Sequence, residues 1–447
     1  MSIILERLDS SPLKLLHGLA ALLCAVGFGI DLLEISVSNA LSAVFSAPPH
    51  SLSSPVLSWL LASVYVGAVI GAPIVGRIAD RKGLQRTLAA TLLWLGLTSL
   101  AAFTQSSPLW FGCFRLLSGI ALGAYPPLMI AYLTAIAPRA YRGLLIFWVC
   151  ALAYLAPPFG IFLIRWLTPL HPFGIEGWRW PFAFAGLAAL LVGFAFIWLP
   201  ESPRWLLTLG RNQLAERICQ AFERSPRLLL PGRLSNPGPA LHPEKSTRHI
   251  EPSPSNRPRP GGMLAFVVTL YFLAPWSVNA FPLLTGPILL KRGHRLSDAL
   301  LYIAVATFGP AVSTFLTGPL VDRVERRVSL TLSCGLMLLA VIIFFSSDQP
   351  LALASAVIAF AIGVAIYMPI MTTYGAELFP STTRASATTL AWAGNRLAAV
   401  LVPVVILPVF AARGSATLGW EVTFALLATI VLIAVFGPKG AAGGNVQ

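Results

Sequence analysis

Negative charge is scarce in this sequence. Its 447 residues include 17 Asp and Glu against 31 Lys and Arg, and the four charged types together make up 11%, where soluble domains carry about a quarter. A chain that is 56% hydrophobic and so thinly charged cannot hide its apolar surface from water. The ordinary soluble classes are excluded, and an integral membrane protein is the starting expectation. Cysteine is thin as well. Cys24, Cys113, Cys150, Cys219 and Cys334 form no CxxC pair, so neither a disulfide framework nor a zinc site is readable. HExxH and GxSxG are missing, and no paired acids accompany a nucleophile. The chain is therefore read as a non-enzyme with no cofactor and no metal.

The formal net charge of +14 would suggest nucleic acid in a soluble protein. Here Lys and Arg fall mainly in short loops and one linker, which is the pattern of membrane topology, and nucleic acid is not expected as a partner. Arg7 and Lys14 precede the first apolar run without a small-residue cleavage site, so that run is expected to stay as an uncleaved membrane helix.

A bilayer core of about 30 Å takes about 20 apolar residues in helical form. Runs of that size fall at 18–45, 55–75, 87–105, 108–134, 143–166 and 179–199, and again at 264–290, 298–320, 328–347, 351–375, 386–411 and 418–437. The expected fold is all-α: twelve transmembrane helices in two six-helix, pseudo-symmetric bundles. The expected units are a first bundle over 1–207, a cytoplasmic linker over 208–262 and a second bundle over 263–447. The linker is rich in Pro, Arg and Ser and lacks the apolar content of a core, apart from a short amphipathic piece, RNQLAERICQAFERS, suited to a membrane surface. Arg77, Arg81, Lys82, Arg86, Arg139, Arg142, Arg323, Arg326, Arg327 and Arg384 all fall on one side of such a topology, which makes both termini cytoplasmic in a plasma membrane, a bacterial inner membrane in particular. One loop dissents: KRGHRLSD, 291–298, is basic yet falls outside.

Two charged stretches, GRIADRKGLQRT at 76–87 and GPLVDRVERRVS at 318–329, expose a repeat. Gly76 and Gly318, Asp80 and Asp322, and Arg81 and Arg323 are each 242 positions apart, and so are Tyr132 and Tyr374, Pro138 and Pro380, and Arg142 and Arg384. One spacing serving separate loops makes one half a structural copy of the other, a plan in which a substrate site lies between the halves near the bilayer midplane. The glycines of the 76–87 stretch permit a tight turn. Ion pairs among these loops would form in one conformation and break in the other, biasing an alternating-access equilibrium.

GRIADRKGLQR resembles the signature loop of the major facilitator superfamily. LPESPRWLL at 199–207 resembles the PESPR element of its sugar-porter-like members, and RLLSGIALGAYPP at 115–127 the fourth-helix pattern R-x-x-x-G-x-x-x-G. The segments GWRWPFAFAGLAALLVGFAFIWLPESPRWL, in and after helix 6, and YGAELFPSTTRASATTLAWAGNRLAAVLVP, 374–403, resemble those of the aromatic-acid and metabolite proton symporters. The resemblance implies a secondary transporter that takes up a small organic acid with protons, the proton gradient supplying the energy; a proton-coupled exporter of drugs or metabolites with the same fold is the alternative. It also implies a monomer in the lipid bilayer. The cytoplasmic gating set would be Gly76, Asp80, Arg81, Arg142, Glu201, Arg204, Asp322, Arg323, Glu377 and Arg384. Two departures stand out. Members often carry Asp-Gly-x-Asp in helix 1, where this chain has DLLE, Asp31 to Glu34. They often carry an acid before the loop from helix 4 to helix 5, where this chain has Thr134.

Ionisable groups at membrane depth cost at least about 2.5–3.5 kcal/mol each and need a partner or water. Asp31, at about 20 Å from the cytoplasmic face, and Arg115, about 10 Å from the outer face, fall at similar depth at 1.5 Å per residue. They are expected to pair, with Asp31 carrying the coupling proton and Arg115 tuning it, and with Glu34 on nearly the same helix face. Arg396 has no neutralising group in its own helix and could grip a substrate carboxylate in bidentate fashion. Asn395, Asn279, Tyr125, Tyr367 and Trp392 are candidate cavity residues beside it, with Tyr271 and Trp276 as further aromatic faces.

Overall fold

The computed structural model describes residues 2–226, 228, 260–311, 325–379 and 381–438; at 2–3, 260, 376–377, 381–386, 389 and 415–416 only the backbone is described. It is helical throughout these residues. After a short α1, Ser2–Ser10, the first half comprises α2 (Leu15–Ser46), α3 (Ser54–Lys82), α4 (Leu84–Thr104), α5 (Pro108–Ile136), the broken pair α6 (Arg142–Ala153) and α7 (Ala156–Leu167), and α8 (Trp180–Ile197). Two small helices follow, α9 (Pro203–Thr208) and α10 (Asn212–Arg224). The second half comprises the broken pair α11 (Pro260–Val278) and α12 (Ala280–Lys291), then α13 (Leu296–Ala306), α14 (Arg326–Ser346), α15 (Pro350–Glu377), α16 (Ser381–Arg413) and α17 (Ser415–Phe436). Among the described residues eleven helical spans are long and apolar enough to cross a membrane, and a shorter apolar helix, Leu296–Ala311, takes the remaining place. This is the expected twelve-helix plan.

Two of the expected single runs are interrupted. The run at 143–166 turns at Tyr154 and Leu155, just ahead of Pro157 and Pro158, and the run at 264–290 breaks at Asn279, four residues after Pro275. Proline removes a backbone donor and clashes with the preceding turn. The expected linker start behaves differently from a free surface helix. Ala215, Cys219 and Phe222 of α10 are buried, and its end is tied to the start of α2 by Leu15 N to Pro226 O at 2.8 Å.

Helices α3 and α5 cross at backbone contact because both carry glycine four residues apart. A Cβ on Gly67 would lie 2.0 Å from Leu116 O, one on Gly71 2.0 Å from Ile120 O, one on Gly119 2.1 Å from Val64 O and one on Gly123 2.3 Å from Ala68 O. Where lipid and side chains are equally apolar, such close packing is what drives helices together. The repeat carries the crossing over. Gly309, 242 positions after Gly67, meets Ala361, 242 after Gly119. It also carries over a rivet: Tyr132 Oη donates to Pro200 O at 2.8 Å, and Tyr374 Oη to Pro438 O at 2.6 Å. Each half thus ties its fourth helix to the end of its sixth.

The extensive pairings between the halves are α2 with α12 and α13, α7 with α13, and α3 with α16. Chain direction places the bonds within them at the end away from Arg77–Arg86. Ser42 Oγ donates to Leu283 O, Ser58 Oγ to Pro403 O at 3.0 Å, and Arg165 Nε to Ser297 O at 2.9 Å. The bundle is sealed between its halves at this end.

Gly119→Val should lower the unfolding temperature in detergent, since overpacking costs about 1–3 kcal/mol and here the obstacle is backbone. Gly76→Ala is the control: nothing lies within 4 Å of its built Cβ, so it should be neutral or stabilising by about 0.5–1 kcal/mol.

Candidate functional site: ionised groups between two bundles

Two carboxyls, Asp31 and Glu34, and two guanidiniums, Arg115 and Arg396, stand at membrane depth among the described residues. Glu34 of α2 is fully buried and ion-pairs with Arg115 of α5. Ser99 Oγ of α4 donates to Glu34 Oε1 at 2.5 Å. Arg115 Nη2 also donates to Glu34 O and to Ser38 Oγ, both at 2.9 Å, and its guanidinium lies 5.1 Å from the Phe182 ring centre. This corrects the expected pairing: Arg115 holds Glu34, not Asp31. Depth along two helices was read correctly, but the direction around the helix axis was not. Glu34 is one near-turn from Asp31, and it is Glu34 that faces α5.

Asp31 is 1% exposed, and its Oδ1 has no hydrogen-bond partner among the described residues. It lies within electrostatic reach of Arg396 and of Glu34. Asp31 and Arg396 both sit about 23 Å along helices that enter from the same end, at 1.5 Å per residue. The expected lone guanidinium of the second half therefore stands within electrostatic reach of the expected proton-carrying carboxylate of the first, across the boundary between the halves, without closing to an ion pair. Tyr65 of α3, which sequence reasoning passed over as one more aromatic in an apolar run, lies within reach of both Arg396 and Arg115. Arg396 also lies 5.8 Å from the Trp392 ring centre, and Trp392 meets Tyr271 edge-on at 5.5 Å. Asn395 is tethered, its Nδ2 donating to Tyr271 O at 3.0 Å.

Three other cavity candidates are placed differently. Tyr125 is packed inside the first half, where its hydroxyl lies 3.3 Å from Cys24 O in the space left by Gly27; a Cβ on Gly27 would stand 2.0 Å from that hydroxyl. Tyr367 is 1% exposed inside the second half, and its hydroxyl has no hydrogen-bond partner among the described residues. Asn279 stands at the break between α11 and α12, half-buried. Trp276 is half-buried, with Phe272 at 6.4 Å.

The gating set is only partly assembled. Gly76 lies within α3; the turn itself is made by Gly83, at φ +100°. Asp80 and Arg81 are exposed, and neither side chain has an ion pair among the described residues. The Asp80 carbonyl accepts a bond from Trp205 Nε1 at 3.1 Å. Glu201 acts as a cap: it accepts from the backbone amides of Leu84 (3.1 Å), Gln85 (3.1 Å) and Ser202 (2.9 Å), satisfying the unpaired donors at the start of α4. Asp322 and Arg323 lie outside the described residues, and Glu377 and Arg384 are placed by backbone alone.

Arg142 and Arg204 share a carboxylate that the sequence did not reveal. Asp9 Oδ1 accepts from Arg204 Nη2 at 2.5 Å and from Arg142 Nη2 at 2.7 Å. The second half has Glu377, whose counterpart 242 positions earlier is Ala135, one residue after the Thr134 named for this place in the sequence. The acid lacking there is supplied by α1. That helix is itself held by Arg7, which pairs with Glu216 at 2.7 Å and Glu223 at 2.6 Å on α10. Hydrogen bonding to Arg7 holds the Glu216 carboxyl below the usual range, and the two acids raise Arg7.

Comparison with known proteins agrees with this architecture. The Major Facilitator Superfamily pattern matches residues 18–403 and 267–439. The chain belongs to this superfamily and is a membrane-spanning transporter of small molecules, not an enzyme. It is 27% identical over 439 residues to the inner membrane metabolite transport protein YgcS of Escherichia coli, covering 96% of this chain and 91% of that protein. It is 22% identical to the niacin transporter NiaP of Acinetobacter baylyi, covering 98% and 97%. A solved structure of the xylose transporter XylE from E. coli, partially occluded and inward open, superposes with a TM-score of 0.73 at 19% identity, covering 95% of this chain and 98% of that one.

Asp9→Asn should leave Arg142 and Arg204 facing each other uncompensated and loosen α1, read as faster backbone amide exchange over 2–10; adding Ala135→Glu should restore protection. Because Glu216 is held below its ordinary carboxyl range, its pairing contributes fully above the unfolded value, about 4.3, and is lost as pH falls through the lower folded value. Exchange over α1, corrected for its intrinsic pH dependence, should rise only in that acid window.

Proposed function

We propose that the chain carries a small organic acid into the cell together with a proton, by alternating access. The observation that carries this reading is that Asp31 and Arg396, from opposite halves, stand at the same depth within electrostatic reach of each other. With Asp31 ionised, its charge balances that of Arg396 across the boundary between the halves. When Asp31 takes up a proton, the guanidinium loses its counter-ion and offers paired donors to a substrate carboxylate. Loss of the proton on the other side restores the internal pair and expels the anion. One proton and one negative charge then travel together. The separate, fully bonded Glu34–Arg115 pair acts as a fixed wall of the site, which leaves Asp31 alone to change charge.

The Arg-rich end is taken as cytoplasmic, with both termini there. The bonds between the halves at the other end support an inward-facing state. A relative named as a niacin transporter supports an aromatic acid as cargo. A second reading, a neutral sugar, is favoured by relatives named as an arabinose-proton symporter and a D-xylose transporter. Against it stands the guanidinium, which a neutral solute does not require.

Thermal-shift screening of the purified protein against aromatic acids, dicarboxylates, sugars and zwitterions separates the two, because a ligand that binds the native state raises its unfolding temperature. Carboxylates should shift the wild type, and Arg396→Gln should weaken them about tenfold or more. Asp31→Asn should abolish proton-driven accumulation in vesicles while sparing part of the exchange. Undiminished uphill uptake by Asp31→Asn would remove Asp31 from the mechanism, and a shift by sugars alone would replace the substrate class.

A further inference from the structure

The basic loop at 291–298 breaks the charge pattern of the loops near 46–55, 105–108 and 347–351 at its end of the bundle, which hold no Lys or Arg, and the structure places it beside an opening. Between the two halves at the sealed end lies a cleft of about 400 Å³. One wall is the turn from α2 to α3, with Ser51, Ser54 and Leu57; the other is formed by the ends of α12 and α16, with Leu290, Lys291 and Phe410. Its lining residues Ser46, Pro287 and Leu407 each stand about one helical turn outward of Ser42, Leu283 and Pro403, which with Ser58 make the bonds between the halves. The cleft thus lies between the halves on the outer side of these bonds.

Lys291 is the one charged residue lining the cleft. Its ammonium lies 4.0 Å from the Phe410 ring centre and 3.4 Å from Phe410 O, and it has no carboxylate partner among the described residues. Its neighbours reinforce it. Arg295 is exposed and Arg165 bonds only the Ser297 carbonyl, so neither is neutralised among the described residues; Arg292 is engaged by Asp348 at 3.3 Å. Unneutralised cations on the outer side work against the orientation that the other loops set. They draw anions toward the place where they are gathered.

We infer that this cleft is a capture site for the carboxylate substrate, in which the acid rests with its anionic group on Lys291 and its apolar part against Leu57, Leu290 and Phe410 before the seal opens. The cleft is of a size that takes small molecules, and the serine hydroxyls supply further donors to the carboxylate. This rests on the reading of the cargo as an organic acid that enters from the outside. In that reading the site does two things. It concentrates a dilute anion at the mouth, and because it is built from both halves it must come apart when they rock, handing its occupant inward.

The test is benzoate binding to the purified full chain in phosphatidylcholine nanodiscs, measured by titration at low and at physiological salt. In wild type a central and a weaker site are expected. Arg396→Gln should remove the first and leave the second, and Lys291→Gln in that background should weaken the remainder by about fivefold or more and flatten its salt dependence. If Arg396→Gln removes all binding, the cargo reading stands and the capture site falls. Residual binding that ignores Lys291→Gln also overturns the capture site. No binding by wild type overturns both. Phosphatidylglycerol in the disc distinguishes a lipid: if it abolishes the residual benzoate site, the cleft holds a lipid phosphate and the capture role is rejected.

Discussion

Carboxyls and guanidiniums inside an apolar bundle need one another, and the central architecture follows from how they are brought together. Asp31 and Glu34 supply two carboxyls, Arg115 and Arg396 two guanidiniums. Burial without a partner is the most expensive option available to a charge. Glu34 and Arg115 solve the problem locally, within one half, with Ser38 and Ser99 satisfying further lone pairs and donors. That solution is permanent because nothing separates α2, α4 and α5. Asp31 and Arg396 offset each other only at a distance, across the boundary between halves, so their balance lasts only as long as the halves keep their present relation. One pair is a strut and the other is a joint.

The platform at the basic end shows the same economy. Glu201 spends its carboxylate on the amide ends of α4, Asp9 on two arginines, and Glu216 and Glu223 on Arg7. With 17 acids against 31 bases in the chain, each of these carboxylates is a scarce reagent, and α1 has acquired a structural task that its length does not suggest. Leu8 at 1% exposure shows how firmly that helix is seated.

Much of this was legible in the sequence. Hydrophobic run length gave twelve spans, and a single separation of 242 positions gave the duplication, because both depend only on position along the chain. The glycine pair Gly119 and Gly123 was visible as a motif, and its meaning became clear once Gly67 and Gly71 were found opposite. The sequence did not say which residues face each other. Asp31 and Glu34 are three positions apart, so a modest rotation of α2 decides which of them meets Arg115. Asp9 lay in a short helix with no periodic signal long enough to place it, and its partners are 133 and 195 positions away. Tyr125 read as a cavity residue because aromatic side chains carry no label for inside or outside a bundle; Gly27, which makes its pocket, is a helix away.

The tyrosine bonds at Pro200 and Pro438 have a wider meaning. They are mechanical fastenings, and both copies of the ancestral unit kept one. The chemistry was not kept in duplicate: the positions matching Asp31, Glu34 and Arg115 are Leu273, Trp276 and Val357. Duplication here preserved the hinge-plates and let the charged positions diverge, so that Asp31 stands in one lobe and Arg396 in the other.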